Sequence, residues 1–252
     1  MIRSIWLEGY KLRRRYVGLT VLLMIGVEMG WAFMATSMSI ARNPDQASWE
    51  PLIAMTASLN GLFAPILAAI CVSRICDIEH KGNTWKLLLS MSVKRERLYA
   101  AKYGCVALIL LLACFVQVLA LIGFGKINAF EEVVPIILLG RLLAGTMAAH
   151  LAVIALQQWL SMALKNQAFA LCLGMLGGFI GMAADLFPSA IRPLFIWSYY
   201  SGLSPVAQSY TDNQLEFIAR DLGAGLPLLG LLLFMGLLIY GAGRWHISRQ
   251  EV

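Results

Sequence analysis

Four polar or ionisable residues stand inside long apolar segments: Glu28, Asn60, Gln117 and Arg141. Such groups are costly in a bilayer unless they are partnered, so each one indicates a functional or structural site. At ~1.5 Å per helical residue, all four are expected roughly 9 to 12 Å from the outer face of the membrane core. We predict one polar layer, in which Glu28 and Arg141 form an ion pair with Asn60 and Gln117 beside it. The layer is either a structural clamp between helices or a constriction at the outer end of a translocation path.

Catalytic chemistry has little support in the sequence. His150 has no acid or nucleophile at a useful spacing, so we expect a packed, hydrogen-bonded histidine. No Gly-x-Ser-x-Gly or His-Glu-x-x-His motif is present, and the Gly125-Lys126 pair is followed by Ile127 rather than by Ser or Thr. We therefore predict a chain that is not an enzyme, with no catalytic residues, no metal site and no cofactor of its own.

The segment Glu79–Ser90 is basic and amphipathic, and it separates two long apolar stretches. Gly82 and Asn83 permit a turn, and Thr84 can cap a helix that begins at Trp85. Trp85 and Leu88 then share one face of that helix. Two interpretations remain open from the residues alone: a loop that lies on lipid headgroups, or a docking surface for a partner protein.

The elements that must position these residues are membrane spans. The chain is 60% apolar and only 13% charged, and a helical span needs roughly 20 mostly apolar residues. The apolar stretches lack strand-like alternation, so we predict an all-α membrane protein with a single transmembrane domain over 1–252. Six stretches qualify as spans: 16–38, 52–76, 103–124, 134–164, 167–187 and 225–243.

The distribution of Lys and Arg predicts the orientation of these spans. Both termini and the second-to-third connection are rich in cations, whereas the opposite side holds few, and cations accumulate in the cytoplasm. Both termini are therefore expected in the cytoplasm, and the basic side suits anionic membrane lipid. The net charge of +6 is then a signal of topology and does not indicate nucleic-acid binding. The outer side holds only Arg42, Lys126, Arg192 and Arg220.

Two segments outside the spans have their own character. Residues 1–15 place Ile5, Trp6 and Tyr10 on one helical face, which predicts a short N-terminal interfacial helix; the alternative is a frayed basic tail. Residues 188–224 are too aromatic for a solvated linker, as Trp197 illustrates. We predict an outer loop that is interfacial or re-entrant.

Residues 63–102 resemble the permease subunits of ABC transporters of the type-2 export class. In particular, they are similar to the lantibiotic-immunity, or bacteriocin self-protection, branch, in which a Glu-His-Lys run precedes a Trp-Lys pair. Glu8–Leu12 also resembles the N-terminal start of that family, whereas Met91-Ser92 departs from it where many relatives have a proline. The motifs that carry the resemblance are Phe63-Ala64-Pro65-Ile66, Asp77–Lys86, Leu89–Arg95 and Leu98–Lys102.

This resemblance implies a cytoplasmic coupling loop over 77–102 that rests in a groove of a separate ATPase subunit. Motion of the ATPase would tilt the second and third spans, and ATP and Mg would be bound by that partner. The residues that the resemblance assigns to ATPase coupling are Glu79, His80, Thr84, Trp85 and Leu88.

The expected function is that of a six-helix permease subunit in a bacterial cell membrane. It is expected to pair with a second permease, identical or related, and with ABC ATPase subunits. The branch implies export of a membrane-active peptide antibiotic, a hydrophobic or amphipathic substrate, for immunity. Alternatives are a drug or lipid exporter of the same class, a membrane interaction protein that transports nothing, and an autonomous channel or secondary carrier.

Overall fold

The computed structural model describes residues 2–13, 15–44, 47–82, 95–130, 133–211 and 214–249, and most of them are helical. The first helices in chain order are α1 (Ile2–Arg13), α2 (Val17–Arg42), α3 (Trp49–Gly82), α4 (Arg95–Ile127), α5 (Ile136–Ala163) and α6 (Gln167–Met182). Short 3-10 turns follow at Ala184–Leu186, Arg192–Leu194 and Ile196–Ser198. The chain continues through the single turn α7 (Tyr199–Gly202), the strands β1 (Val206–Thr211) and β2 (Gln214–Ala219), and the helix α8 (Leu222–Arg249).

Five of the described helices, α2, α3, α4, α5 and α8, are long and apolar enough to cross a membrane. Helix α6 corresponds to the predicted span 167–187, but it is apolar over only 16 residues, from Gln167 to Met182. At ~1.5 Å per residue it is about 24 Å long, which is shorter than a hydrocarbon core of about 30 Å. The prediction of a multi-helix membrane protein is confirmed, and six spans remain a prediction.

The region after α6, which the sequence predicts to lie on the outer side, departs from the expected all-α fold, because it contains two paired antiparallel strands. Val206 pairs with Ala219, and the register continues to Thr211 opposite Gln214. The sequence between the strands is Asp212-Asn213, a pair of residue types that favours tight turns between strands. Side chains in a strand alternate between the two faces of its sheet. The sequence analysis did not detect such an alternation here, because it interpreted the segment only by its aromatic content.

The predicted loop 77–102 is helical over much of its length. Helix α3 continues to Gly82 and helix α4 begins at Arg95, so both helices extend into the range expected to be a loop. Residues 83–94 lie outside the part of the chain that the structure describes. The predicted loop was too long because polar residues near a helix end were interpreted as the end of the helix.

Glycines let α3 and α6 pack with their backbones almost in contact. A Cβ atom placed on Gly61 would lie 2.7 Å from the carbonyl oxygen of Gly181, and one on Gly178 would lie 2.6 Å from that of Leu62. No larger residue fits at either position without a shift of backbone. This close approach puts α6 against the middle of α3 and orders the outer half of the bundle.

Candidate functional site

The centre of the bundle holds a hydrogen-bonded cluster of three polar side chains, Glu28, Gln117 and Asn60, here called the mid-bundle cluster. The Gln117 Nε2 atom donates to Glu28 Oε1 at 3.2 Å and to Asn60 Oδ1 at 3.1 Å. All three residues are buried, with exposures of 5% or less. They come from α4, α2 and α3, so the cluster joins three helices by side-chain hydrogen bonds. The sequence correctly predicted that these three residues come together.

The predicted ion pair between Glu28 and Arg141 is wrong. Neither residue forms an ion pair within the part of the chain that the structure describes, and Arg141 instead lines a cavity at the outer end of the bundle. The cause is the position of the helix ends. Helix α2 ends four residues later than predicted and α5 begins two residues later, at Ile136. Glu28 therefore lies about 21 Å from the outer end of α2, whereas Arg141 lies about 8 Å from that of α5.

The cavity that contains Arg141 has a volume of about 480 Å³ and lies between α5, the turns after α6 and the start of α8. Three arginines line it: Arg141, Arg192 and Arg220. Apolar and hydroxyl side chains complete its wall, among them Phe187 and Leu228. We call this space the arginine cavity. The sequence analysis used Arg192 and Arg220 only as topology signals and did not predict that three cations share one site.

Residues 195–204, here called the inward-folded segment, are packed into the bundle. Tyr200 is 2% exposed, and its hydroxyl lies 3.0 Å from Nδ1 of His150, near the middle of α5. This contact confirms the prediction of a packed, hydrogen-bonded histidine. Trp197 packs against α6 at Gly177, where an added Cβ atom would collide with the indole ring. Among the two predicted forms of the outer loop, these contacts favour the re-entrant one for this part.

The carbonyl groups of the inward-folded segment and of the turn before it are satisfied by nearby side chains. Ser198 Oγ donates to the carbonyl oxygens of Arg192 and Phe195, and Tyr199 Oη donates to that of Pro193. Arg220 donates to the carbonyl oxygens of Ser201 and Gly202 at 3.3 and 2.7 Å. Non-helical backbone at membrane depth is tolerated only where such partners exist.

At the end of the bundle opposite the arginine cavity, a buried lysine joins the N-terminal helix α1 to α3 and α4. Lys102 of α4 is 0% exposed, and its Nζ atom donates to Glu8 Oε2 at 2.9 Å and to the carbonyl oxygen of Ile75 at 2.8 Å. Glu8 Oε1 also accepts a hydrogen bond from Lys11 Nζ at 2.6 Å. We call Glu8, Lys102 and Ile75 the Glu8–Lys102 joint. Sequence reasoning had treated Lys102 only as a topology signal and as one residue of a family motif.

Two opposing effects act on the Glu8 carboxyl group. Burial raises its pKa, but the positive charge of Lys102, the hydrogen bonds from Lys11 and Lys102 and the charge of Lys11 lower it, and the net result is a pKa below the usual value. The carboxylate is therefore the form that the joint stabilises. Buried charges persist in proteins when they are paired and hydrogen-bonded in this way.

One face of α1 carries exposed apolar and aromatic side chains. Trp6 and Tyr10 are exposed, and their rings stack with centroids 5.9 Å apart, while Leu7 beside them is also exposed. On the other side, Ile5 approaches Gly104 of α4. A helix with one packed face and one exposed aromatic face is typical of helices that lie in a membrane interface.

The residues that the resemblance assigns to ATPase coupling are not placed by the structure. Thr84, Trp85 and Leu88 lie outside the described residues, and so do the side chains of Glu79 and His80. The described helices on either side, α3 and α4, are joined close to this segment by Lys102, which bonds to Ile75 seven residues before Gly82.

No metal centre is formed by the residues that the structure describes, since no three His, Cys, Asp or Glu side chains converge there. The five cysteines are free thiols, four of them buried and Cys172 exposed.

Five long apolar helices around a buried polar cluster, with large apolar side chains exposed along α2, α4 and α8, define an integral membrane protein. Residues 4–181 match the family described as ABC-2 family transporter protein, and the chain belongs to this family. It is thus a membrane permease subunit of an ABC exporter, and membership implies an ABC ATPase partner. No curated protein matches the chain.

Proposed function

We propose that this chain is the membrane-spanning subunit of an ATP-driven exporter that expels a membrane-active peptide antibiotic, a lantibiotic or bacteriocin, for immunity. The family match over residues 4–181 is the observation that carries the exporter assignment. The peptide substrate has the support of the Glu79–Lys86 sequence, which resembles the self-protection branch. ATP and Mg belong to separate ATPase subunits, and a second permease, identical or related, completes the membrane part.

Both termini lie on the cytoplasmic side in this proposal. The two ends of the described chain contact the same end of α4: Glu8 bonds to Lys102, and Arg244 near the C-terminal end of α8 pairs with Glu96. Termini at one end of the bundle are expected for an even number of spans. The higher number of Lys and Arg at this end supports a cytoplasmic location in a bacterial cell membrane, with α6 and the inward-folded segment together acting as the fifth of six spans.

Coupling to the ATPase passes through the segment between α3 and α4 and then through the Glu8–Lys102 joint. Lys102 holds α4 to the carbonyl of Ile75 on α3 and to Glu8 on α1, so a push on the connecting segment moves three helices together. Glu79, His80, Thr84, Trp85 and Leu88 provide the ATPase contact. A rigid buried joint next to a partner-binding segment transmits motion with little loss.

The mid-bundle cluster serves as a clamp that keeps α2 against α3 and α4 while the ends of these helices move. Its three side chains hydrogen-bond to one another across α2, α3 and α4, which supports a role in helix packing rather than closure of the outer end. An interhelical hydrogen bond in a membrane is worth roughly 0.6 to 2 kcal/mol, enough to bias helix association.

The exporter proposal is tested by purifying the tagged chain from native membrane in mild detergent and identifying its stoichiometric partners. We expect an ATPase with a Walker nucleotide loop to co-purify, and to be lost from Trp85→Ala and Glu79→Ala. Trp245→Ala is the matched control, because Trp245 is an exposed tryptophan on α8, outside the coupling segment. Purification of the chain alone, or with a partner that is not an ATPase, would contradict the proposal.

The substrate is tested separately in cells that carry the complex with its ATPase. We expect the inhibitory concentration of a pore-forming lantibiotic to rise, and that of small hydrophobic drugs to stay unchanged. Peptide added to the purified complex should also stimulate ATP hydrolysis. A rise for drugs alone, or stimulation by lipids alone, would identify a drug or lipid exporter of the same class.

A further inference from the structure

The arginine cavity has a composition that neither the transport assignment nor the clamp requires. Three guanidinium groups from three different parts of the chain line one space at the outer end of the bundle: Arg141 from α5, Arg192 from the turns after α6, and Arg220 from the connection before α8. Like charges brought together in a partly buried space repel one another unless an anion is present. Asp185 pairs with Arg192 and Asp221 lines the cavity, so only the part of this cost that they do not offset needs an explanation.

Two of the arginines are held in place by the protein. Arg192 pairs with Asp185 at 2.6 Å and donates to Ser201 Oγ at 3.0 Å, while Arg220 donates to the carbonyl oxygens of Ser201 and Gly202. Burial lowers the pKa of the Arg220 guanidinium, and the charge of Arg192 lowers it further, whereas Asp185 raises it. These two cations are oriented before any ligand arrives.

Arg141 differs from the other two. It has no hydrogen-bond or ion-pair partner among the residues that the structure describes, although it is only partly exposed. Its five N–H donors are therefore available to the space that it lines. Arg141 was predicted to pair with Glu28, but Glu28 bonds to Gln117 instead. The cavity therefore accounts for a cation that is not part of the mid-bundle cluster.

Among the residues that the structure describes, the charges around the cavity leave one positive charge in excess. Three arginines face Asp221, which lines the cavity, and Asp185, which pairs with Arg192. A single negative charge neutralises the site. Guanidinium groups match the oxygens of phosphate in a two-pronged geometry, and the hydroxyl of Ser189, also in the lining, provides a further donor.

We propose that the arginine cavity binds one monoanionic phosphate group, with Arg141 as its direct ligand and Arg192 and Arg220 as the preset cations around it. The favoured source is the headgroup of an anionic phospholipid in the outer leaflet. Phe187 and Leu228 in the lining suit the start of an acyl chain, and Leu186 and Leu194 beside the cavity are 85% and 70% exposed, as expected for residues in lipid. A free phosphate ion shares the chemistry but would make no use of these apolar groups.

The test is native mass spectrometry of the purified complex after delipidation and addition of phosphatidylglycerol, phosphatidylcholine or inorganic phosphate. We expect one retained phosphatidylglycerol per chain, little phosphatidylcholine, and protection from heat only by the anionic lipid. Arg141→Gln should weaken this binding roughly 10- to 100-fold, since a charged hydrogen-bond partner is removed. Arg141→Lys keeps the charge and should restore part of the affinity.

The matched control is Arg42→Gln, which removes an arginine from the outer end of α2, outside the cavity lining. Leu228→Trp tests the same cavity by filling it and leaves all three arginines in place. If inorganic phosphate protects as well as the lipid does, the phosphate site stands and its source is the free ion. Equal retention of both lipids by the wild type, or full retention by Arg141→Gln, would overturn the proposal.

Discussion

Two buried carboxyl groups in this chain have different kinds of hydrogen-bond partner. Glu8, at one end of the bundle, has two lysine partners, whereas Glu28, in the middle, is held by the amide of Gln117. Near the membrane surface a lysine can reach a carboxylate while its charge stays in contact with a polar region. In the centre, an amide network supplies hydrogen bonds without bringing a second charge into hydrocarbon. Charge pairs therefore fix the bundle at its rim, and hydrogen bonds from side-chain amides fix it in its core.

The largest expected effect comes from removing the cation of the joint. Lys102→Met leaves Glu8 buried beside one remaining lysine and leaves the carbonyl of Ile75 without this donor, so we expect destabilisation of about 3 to 5 kcal/mol. The measurement is loss of folded protein on heating in detergent, read by size-exclusion chromatography. Lys11→Met is the matched control, since Lys11 is partly exposed and should cost far less. Combining Lys102→Met with Glu8→Gln should recover part of the loss; an additive result would contradict the pairing.

A smaller effect is expected in the mid-bundle cluster. Gln117→Leu removes the hydrogen bonds to Glu28 and Asn60 and should cost about 1 to 3 kcal/mol for the groups left without a partner. Glu28→Gln keeps an acceptor for Gln117 and should cost less than this. The same heating assay compares the two variants. Equal losses would show that an amide acceptor at position 28 does not replace the carboxyl group, and would contradict the view that the hydrogen bond alone holds the helices.

The carboxyl group of Glu8 should also make the stability of the folded chain depend on pH. Because the pKa of Glu8 is lower in the folded chain, its contribution to stability is fully present above the unfolded pKa of about 4.3. The contribution is lost as the pH falls through the lower folded value. We expect the difference in melting temperature between wild type and Glu8→Gln to shrink below about pH 4. A difference that stays constant from pH 7 to pH 3 would show that the charge of Glu8 is not what stabilises the joint.

The smallest effect is expected at the exposed pair of Arg244 and Glu96, which also connects helix ends on that side. Exposed ion pairs add little stability because water and salt screen them. Arg244→Gln should leave the melting temperature unchanged within error, at both low and high salt. A clear loss at low salt would contradict this expectation, and a loss that persists at high salt would show that the pair contributes as a buried pair does.

Much of the fold follows from the sequence because apolar runs of span length leave few alternatives to a helical bundle. The same runs gave the depth of Glu28, Asn60 and Gln117 well enough to bring the three together. Arg141 was misplaced because shifts of two to four residues at helix ends add up to several ångströms, and hydropathy does not resolve such shifts. The partner of Lys102 was missed because Glu8 lies far away in sequence, and only the packing of α1 on α4 brings them into contact.

The outer region was the least predictable part for a related reason. The contact between Tyr200 and His150 and the approach of Trp197 to Gly177 depend on the packing of α5 and α6, and no local pattern encodes them. A resemblance over 63–102 gives no information about residues so far along the chain. Only the aromatic content of this segment suggested that it enters the membrane. That content does not indicate which of its residues do so.

The shortness of α6 has a consequence for how the protein is made. Residues 195–204 follow this short helix, and the carbonyl oxygens of Ser201 and Gly202 in this segment accept hydrogen bonds from Arg220, which comes later in the chain. The segment cannot enter lipid alone, because its Tyr200 hydroxyl finds its partner only on α5. We therefore expect α5 and α6 to insert first, and this end of the bundle to close only when Arg220 and the start of α8 have followed.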